Sequence, residues 1–139
     1  MSATKTFIDT DVLIYAFDVR SAGKQKVAEA ALDKLWSDRT GALSVQVLQE
    51  FYVNVTRKIG KPLTKEAARE IVGLYSNWCG ETSSAEIESA FRIEIESHIG
   101  FWDALILASA VKAGATRILS EDMNAGQVIS GVRIENPFV

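Results

Sequence analysis

Short apolar runs alternate along this chain with longer segments of helical periodicity. Apolar runs bounded by turn residues or acids are typical of buried strands. The predicted strands cover residues 6–9, 42–44, 81–82, 117–119 and 132–135. Because strands that alternate with helices favour a parallel sheet, we expect an α/β domain.

Five helices are predicted between these strands, and several of them carry boundary signals. Pro62 lies just after the second helix, Ser83 and Glu86 match a capping box, and Gly114 stands where a left-handed residue ends the last helix. The predicted helices cover residues 24–36, 45–59, 65–78, 84–98 and 102–113. The last is apolar on nearly every side, which predicts a buried helix with Asp103 in its first turn.

The composition is that of one domain with a core of its own. The chain has 139 residues, of which 47% are hydrophobic, and Cys79 is its only cysteine, so an intrachain disulfide framework is excluded. A strand-like segment begins by about Thr6, and the apolar stretch 104–111 is too short to span a bilayer. We therefore expect a cytoplasmic protein without a membrane segment.

The formal net charge of −3 argues weakly against nucleic acid as a partner. The distribution of charge changes this picture, because several acids fall at positions where a common pocket is expected. Without those acids, basic residues outnumber acidic ones. The acidic balance is therefore compatible with RNA binding, although it does not by itself indicate it.

Acidic residues lie where parallel α/β sheets place their ligand sites, beyond the carboxyl ends of the strands. Asp9 closes the first strand, with Asp11 just after it, and Asp122 follows the strand at 117–119. Asp103 begins the helix that leads into that strand, and Glu50 lies on a polar stripe of the second helix. We expect these carboxylates to share one site.

Clustered carboxylates repel one another unless protons or a cation compensate them. Mg²⁺ and Mn²⁺ prefer oxygen ligands and can activate water for attack on a phosphodiester. The single histidine, His98, excludes a histidine pair for acid–base cleavage, and nucleotide-binding loops and zinc-ligand spacings are absent. From patterning alone, solvated surface acids are an equal alternative, and Asp103 could act only as a helix cap.

Four segments, in order, resemble the PIN-domain ribonucleases, and within them the VapC-type toxins of bacterial toxin–antitoxin pairs. They are Phe7–Ile14, Gln46–Phe51, Phe101–Ile106 and Leu119–Asp122. Each contains one acid of the family's set, and the segment around Asp103 is the most specific. The resemblance covers nearly the whole chain, so residues 1–139 are expected to form a single PIN domain.

The resemblance implies a three-layer α/β/α fold with a parallel sheet of four to five strands in the order 3-2-1-4-5. It makes Asp9, Glu50, Asp103 and Asp122 the catalytic residues and the ligands of Mg²⁺ or Mn²⁺. It further implies cleavage of RNA phosphodiester bonds by a metal-activated water. The expected partners are RNA, a second copy of the chain in a homodimer, and a small antitoxin protein that neutralises the enzyme.

Residues beside the four acids are possible accessory groups. The family commonly has asparagine where this chain has Asp11, so Asp11 adds a negative charge near the metal. Ser120 stands where a serine or threonine is usual, and Thr10 adjoins the first acid. Glu121 precedes Asp122, and Asp122 is the better match to the fourth acid.

Residues that could hold RNA or fill the core are assigned from their surroundings. Arg57 and Lys58 follow along the helix that carries the second acid and are possible phosphate contacts, although a solvated face is an equal interpretation. We assign Trp36, Trp78 and Trp102 to the core rather than to base stacking, because the domain is small.

Two alternatives to the nuclease are open. The sequence Asp9-Thr10-Asp11-Val12 matches the opening motif of haloacid-dehalogenase-type phosphatases, in which Asp9 would be the nucleophile and Asp11 the general acid. That interpretation lacks a lysine at a later strand end and leaves Glu50 and Asp103 unexplained. The second alternative is a non-catalytic PIN-like interaction module, which the presence of all four acids disfavours.

Overall fold

A five-stranded sheet forms the middle layer of the computed structural model, which describes residues 4–139, and helices cover both faces. The strands are β1 (Lys5–Ile8), β2 (Gly41–Ala42), β3 (Ala115–Leu119), β4 (Val128–Ile129) and β5 (Val132–Glu135). Their order across the sheet is β2-β1-β3-β5-β4. All neighbouring strands are parallel except β4, which is antiparallel to β5.

Six helices connect the strands, and short polar side chains cap several of them. They are α1 (Thr10–Tyr15), α2 (Ala22–Asp38), α3 (Val45–Arg57), α4 (Lys65–Tyr75), α5 (Ser84–Ser97) and α6 (Phe101–Lys112). Ser44 accepts a hydrogen bond from a backbone N–H of α3, Thr64 does so for α4, and the predicted capping box of Ser83 and Glu86 begins α5. Within residues 4–139, no helix is both long and apolar enough to cross a membrane.

The core lies on both sides of the central strands β1 and β3. Phe7 and Ile8 of β1 and Ile118 of β3 are fully buried, as are Phe51 of α3 and Leu107 of α6. Burying one such side chain contributes about 1.5–3 kcal/mol. The two central strands are therefore the most firmly held part of the sheet, and their carboxyl ends provide a rigid base for side chains placed there.

The predicted fold class is confirmed, and one predicted strand is wrong. Four of the predicted strands lie side by side in the expected order, but residues 81–82 are not a strand. Instead, Cys79 makes a single parallel bridge to Leu43 at that edge of the sheet. The pairing goes no further because the chain turns directly into the capping box that begins at Ser83.

Two elements and one core assignment also differ from expectation. The short helix α1 and the two-residue strand β4 were not predicted. Trp102 is 66% exposed, so its assignment to the core is wrong. It lies in the first turn of α6, whereas Ala104 and Leu107 of the same helix are buried in the core.

Candidate active site

Asp9 lies at the carboxyl end of β1, directly before α1, and is almost completely buried. Its backbone extends β1, since its N–H donates to the carbonyl of Leu119 at 3.0 Å. The side chain is the N-cap of α1, and Oδ1 accepts a hydrogen bond from the N–H of Thr10 at 2.8 Å. Strand pairing and helix capping together fix the direction of this carboxylate.

Ser120, the residue that follows β3, orients Asp9. Its hydroxyl donates to Oδ2 of Asp9 at 2.8 Å and accepts hydrogen bonds from the backbone N–H groups of Asp122 and Met123 at 3.2 and 3.3 Å. Ser120 is fully buried, and its own N–H donates to the carbonyl of Glu135 in β5. The predicted accessory role of Ser120 thus corresponds to a link between Asp9 and the loop after β3.

Asp11 binds the backbone of that same loop. Oδ2 of Asp11 accepts hydrogen bonds from the N–H groups of Glu121 and Asp122, at 2.9 and 3.2 Å. Oδ1 is buried and has no hydrogen-bond partner among residues 4–139. An asparagine oxygen could accept the same two hydrogen bonds, which is consistent with the exchange that the family resemblance indicates at this position.

Glu50 approaches the site from α3, on the other side of α1. The hydroxyl of Thr10 donates to Oε1 of Glu50 over 3.4 Å, a long hydrogen bond. Glu50 is otherwise exposed, whereas Thr10 is buried. Thr10 therefore lies between the first and second acids and contacts both, through its backbone and its side chain respectively.

Asp103 and Asp122 face each other across a small cavity of about 110 Å³. Asp103 is in the first turn of α6, and Asp122 follows β3. Both are exposed at the rim, while Leu107 and Ile134 form the cavity floor. Partial burial, and then the negative charge of Asp122, raise the pKa of Asp103 above its ordinary value.

Electrostatics link the two halves of the site. Burial is the main reason that the pKa of Asp9 is raised from 3.8 to about 6. The hydrogen bonds from Ser120 and Thr10 oppose this rise, and the charges of Asp103 and Glu50 add to it. Burial, followed by the charge of Asp9, raises the pKa of Asp11 to about 7. The predicted acids are thus close enough to repel one another at neutral pH.

The side chain of Glu121 is bound to other residues than these acids, and its accessory role stays a prediction. Its carboxylate accepts a hydrogen bond from the hydroxyl of Tyr15 at 2.7 Å and forms an ion pair with Lys24. Lys24 and then Tyr15 lower the pKa of Glu121. The sequence analysis missed Lys24 and Tyr15, because neither carries a local signal and both are about a hundred residues away from Glu121 in the chain.

The donor atoms fit a hard divalent cation, but not one enclosed by protein. In the described part of the chain, no three His, Cys, Asp or Glu side chains stand close enough to hold a metal ion between them. The acids offer carboxylate oxygens, and the buried Oδ1 of Asp11 has no other partner in residues 4–139. Mg²⁺ commonly keeps several waters and binds through one or two carboxylates, so this spacing suits a hydrated ion.

Arg57 and Lys58 are exposed at the carboxyl end of α3, and their RNA-binding role stays a prediction. Arg57 is seven residues after Glu50, which in a helix corresponds to two turns on the same face, roughly 10 Å along the axis. An RNA strand whose scissile phosphate lies at the acids could therefore place a neighbouring phosphate next to Arg57.

Comparisons with known proteins agree on one family. The family model described as PIN domain matches residues 6–128. No curated protein is significantly similar in sequence. Among solved structures, a toxin–antitoxin complex from Klebsiella pneumoniae is similar at 20% identity and a TM-score of 0.70, with 92% of this chain and 95% of that chain covered.

Two further solved structures have the same fold. DNA-bound VapBC from Salmonella typhimurium is similar at 19% identity and a TM-score of 0.67, covering 97% of this chain and 99% of that one. The Mycobacterium tuberculosis toxin VapC20, described as cleaving the sarcin–ricin loop, is similar at 19% identity and a TM-score of 0.61, with coverages of 82% and 87%. At these identities the likeness to solved structures establishes the fold.

Proposed function

Because the chain belongs to the PIN domain family, we propose that it is a metal-dependent endoribonuclease and the toxin of a VapC-type toxin–antitoxin pair. The observation that carries this proposal is the arrangement around Asp9. A buried carboxylate at the carboxyl end of β1 is oriented by Ser120 and lies near the charges of Asp103 and Glu50. A protein that only binds a partner has no need to bury and orient a carboxylate among other acids.

Asp9, Glu50, Asp103 and Asp122 are the proposed ligands of Mg²⁺ or Mn²⁺, some of them binding through waters that the ion retains. Each oxygen of Asp9 accepts one hydrogen bond, which leaves lone pairs free for a cation or its waters. When bound, such an ion would lower the pKa of a water and offset the charge of a phosphodiester under attack. The mutual repulsion of the acids provides the driving force for binding the ion at neutral pH.

The side chains of this chain then have separate tasks. Ser120 and the N–H of Thr10 hold Asp9 in one orientation, and Thr10 also restrains Glu50. Asp103 stands on the first turn of α6 and lines the cavity that Asp122 also lines. Asp11 is a positioning residue in this proposal, since its carboxylate binds the backbone of the loop that carries Asp122.

RNA is the proposed substrate, and a small antitoxin protein is the proposed partner. The similar toxin VapC20, which is described as cleaving the sarcin–ricin loop, supports the substrate class. The complexes from Klebsiella and Salmonella support the partner. Arg57 and Lys58 would contact phosphates outside the acidic site, a role that does not depend on RNA sequence.

An exposed apolar strip on α5 supports the proposed homodimer. Ile87, Phe91 and Ile95 are spaced by four residues and therefore share one face of the helix. Phe91 packs at a tilted angle against Phe101 at the start of α6, and the ring of Phe101 in turn packs edge to face against the exposed Trp102. Adjacent exposed apolar residues of this size are typical of protein interfaces.

The phosphatase alternative is disfavoured by the contacts of Asp11. A general acid must present its carboxyl group to the leaving group of the substrate. One oxygen of Asp11 is bound to two backbone N–H groups and the other is buried. This geometry favours a structural task for Asp11.

The direct test replaces Asp103 by asparagine, which removes the charge with little change in volume. We expect Asp103→Asn to abolish cleavage of a fluorescent RNA and the inhibition of growth, while circular dichroism stays that of the parent. Asp33→Asn, an equivalent change at an exposed acid of α2, is the matched control and should stay active. A folded and active Asp103→Asn protein would refute the assignment of the site.

A further inference from the structure

We propose that Tyr15, Lys24 and Glu121 form a latch that holds the loop of residues 120–123, and with it Asp122, in position for binding the metal ion. The three are positioning residues, because their side chains bind one another and make no hydrogen bond to Asp9, Glu50, Asp103 or Asp122. The inference rests on the metal site of the proposed function. It adds to that site the residues that position Asp122, the fourth proposed ligand.

The latch joins three elements by direct polar contacts. Oε1 of Glu121 accepts a hydrogen bond from the hydroxyl of Tyr15 at 2.7 Å, and Oε2 is paired with the ammonium group of Lys24. Lys24 also donates to the hydroxyl of Tyr15 at 3.3 Å, which closes a triangle. Tyr15 is the last residue of α1 and Lys24 lies in the first turn of α2, so Glu121 ties the loop after β3 to both helices.

Aromatic rings hold Lys24 in this triangle. Its Nζ lies 4.8 Å from the ring centre of Tyr15 and 5.7 Å from that of Phe138, distances at which a cation is attracted to a ring. The rings of Tyr15 and Phe138 pack edge to face with their centres 5.0 Å apart. The ammonium group therefore has few alternative positions, and the pair with Glu121 is kept in one geometry.

Asp122 depends on the loop for its position. The carboxylate of Asp122 makes no hydrogen bond to residues 4–139, whereas its N–H is bound to Asp11 and to Ser120. Backbone contacts thus hold the loop to Asp11 and Ser120, and the side chain of Glu121 holds it to α1 and α2. If Glu121 were released, the loop could rotate about the backbone contacts and move Asp122 away from Asp103.

The latch differs from an ordinary surface ion pair. Lys34 and Asp38 of α2 form such a pair over 3.5 Å, with side chains that are 72% and 48% exposed. Pairs of this kind contribute little, because water and salt screen them. The side chains of Lys24 and Glu121 are 44% and 25% exposed, come from distant parts of the chain, and share a third partner.

The experiment measures Mn²⁺ binding directly, by the loss of the free-ion electron paramagnetic resonance signal. Tyr15→Phe, Lys24→Met and Glu121→Gln should each weaken Mn²⁺ affinity, by on the order of tenfold, as expected when a group that orients a ligand is lost. Lys34→Met is the matched control and should bind Mn²⁺ as the parent does. Parent-like affinity in all three folded latch variants would overturn the proposal.

The same variants in the Asp122→Asn background separate positioning from general loosening of the fold. If the latch acts through Asp122, its variants should cause no further loss of Mn²⁺ affinity once that ligand is gone, because the effects of coupled residues do not add. If the latch variants weaken Mn²⁺ binding as much in that background as in the parent, the latch does not act through Asp122 and the proposal is refuted.

RNA is absent from these measurements, so the latch and the nuclease can fail separately. A parent protein that binds Mn²⁺ with the predicted dependence but cleaves no RNA would refute the proposed function and leave the latch standing. A parent that binds no Mn²⁺ at millimolar concentration would refute the latch together with the metal site.

Discussion

The burial of Asp9 beside Asp11 predicts an unusual dependence of stability on pH in the metal-free protein. The pKa of Asp9 is raised to about 6 and that of Asp11 to about 7, whereas both titrate near 3.8 when unfolded. The folded protein therefore keeps protons that the unfolded chain has already released. Stability must fall as the pH rises through this range, which is the opposite of the effect of a salt-bridged carboxylate.

The magnitude follows from the interval between pH 5 and pH 8. Asp9 titrates about one unit above the start of this interval and Asp11 about two, and each unit corresponds to about 1.4 kcal/mol. The loss of unfolding free energy should be on the order of 4 kcal/mol, which corresponds to roughly 14 °C in the melting temperature for a chain of this size. Glu86 and Glu121 have lowered pKa values, so their contributions to stability are lost only below pH 5 and do not interfere.

The assay is thermal unfolding in EDTA at pH 5, 6, 7 and 8, followed by circular dichroism. The double variant Asp9→Asn, Asp11→Asn should have a much flatter profile, because the two groups that hold the extra protons are gone. Saturating Mn²⁺ should raise the melting temperature most at pH 8, where the carboxylates are ionised. A metal-free melting temperature that is constant or rises from pH 5 to pH 8 would refute the reasoning.

Two further predictions concern the packing and the assembly of the chain. Gly41→Ala should lower the unfolding free energy by about 1–3 kcal/mol, because the new Cβ would lie 2.6 Å from the ring of Trp78. The control is Gly23→Ala, where the new Cβ would meet open space. Equal melting temperatures of the two variants would contradict this account. Phe91→Lys combined with Ile95→Lys should convert the dimer into a monomer in light scattering, since both side chains lie on the exposed strip of α5. A parent that is already monomeric at micromolar concentration would refute the proposed interface.

Helix α1 illustrates what periodicity alone could not predict. Its six residues follow β1 after a single residue, and its apolar residues Val12, Leu13 and Ile14 form a short run of their own. An apolar run of this length fits a strand or a helix equally well. The deciding feature is the role of Asp9 as N-cap, and an acid at the end of a strand is also what a ligand site requires.

The predicted strand near Glu81 failed for a related reason. A strand at the edge of a sheet needs only a few paired residues, and here the pairing is reduced to the bridge between Leu43 and Cys79. The sequence beyond Cys79 is polar, and the capping box at Ser83 fixes the start of α5 so closely that no strand fits before it. Local signals placed the helix correctly and thereby excluded the strand.

Within the site, the sequence predicted the acids but not their connections. The positions of Asp9, Asp103 and Asp122 follow from the ends of strands and helices, which local patterns predict well. The ion pair of Lys24 with Glu121 joins residues 97 positions apart and depends on how α2 packs against the loop after β3. No periodicity or spacing encodes such a contact, so the latch could be found only in three dimensions.

The position of β5 within the sheet has a consequence for the folding of the chain during its synthesis. β3 pairs with β5 along its outer edge, and the N–H of Ser120, which orients Asp9, donates to the carbonyl of Glu135 in β5. Until β5 has paired, the N–H of Ser120 lacks this partner, although all four acids precede β5 in the chain. The hydrogen bonds around Asp9 are therefore complete only once the last strand of the sheet is in place.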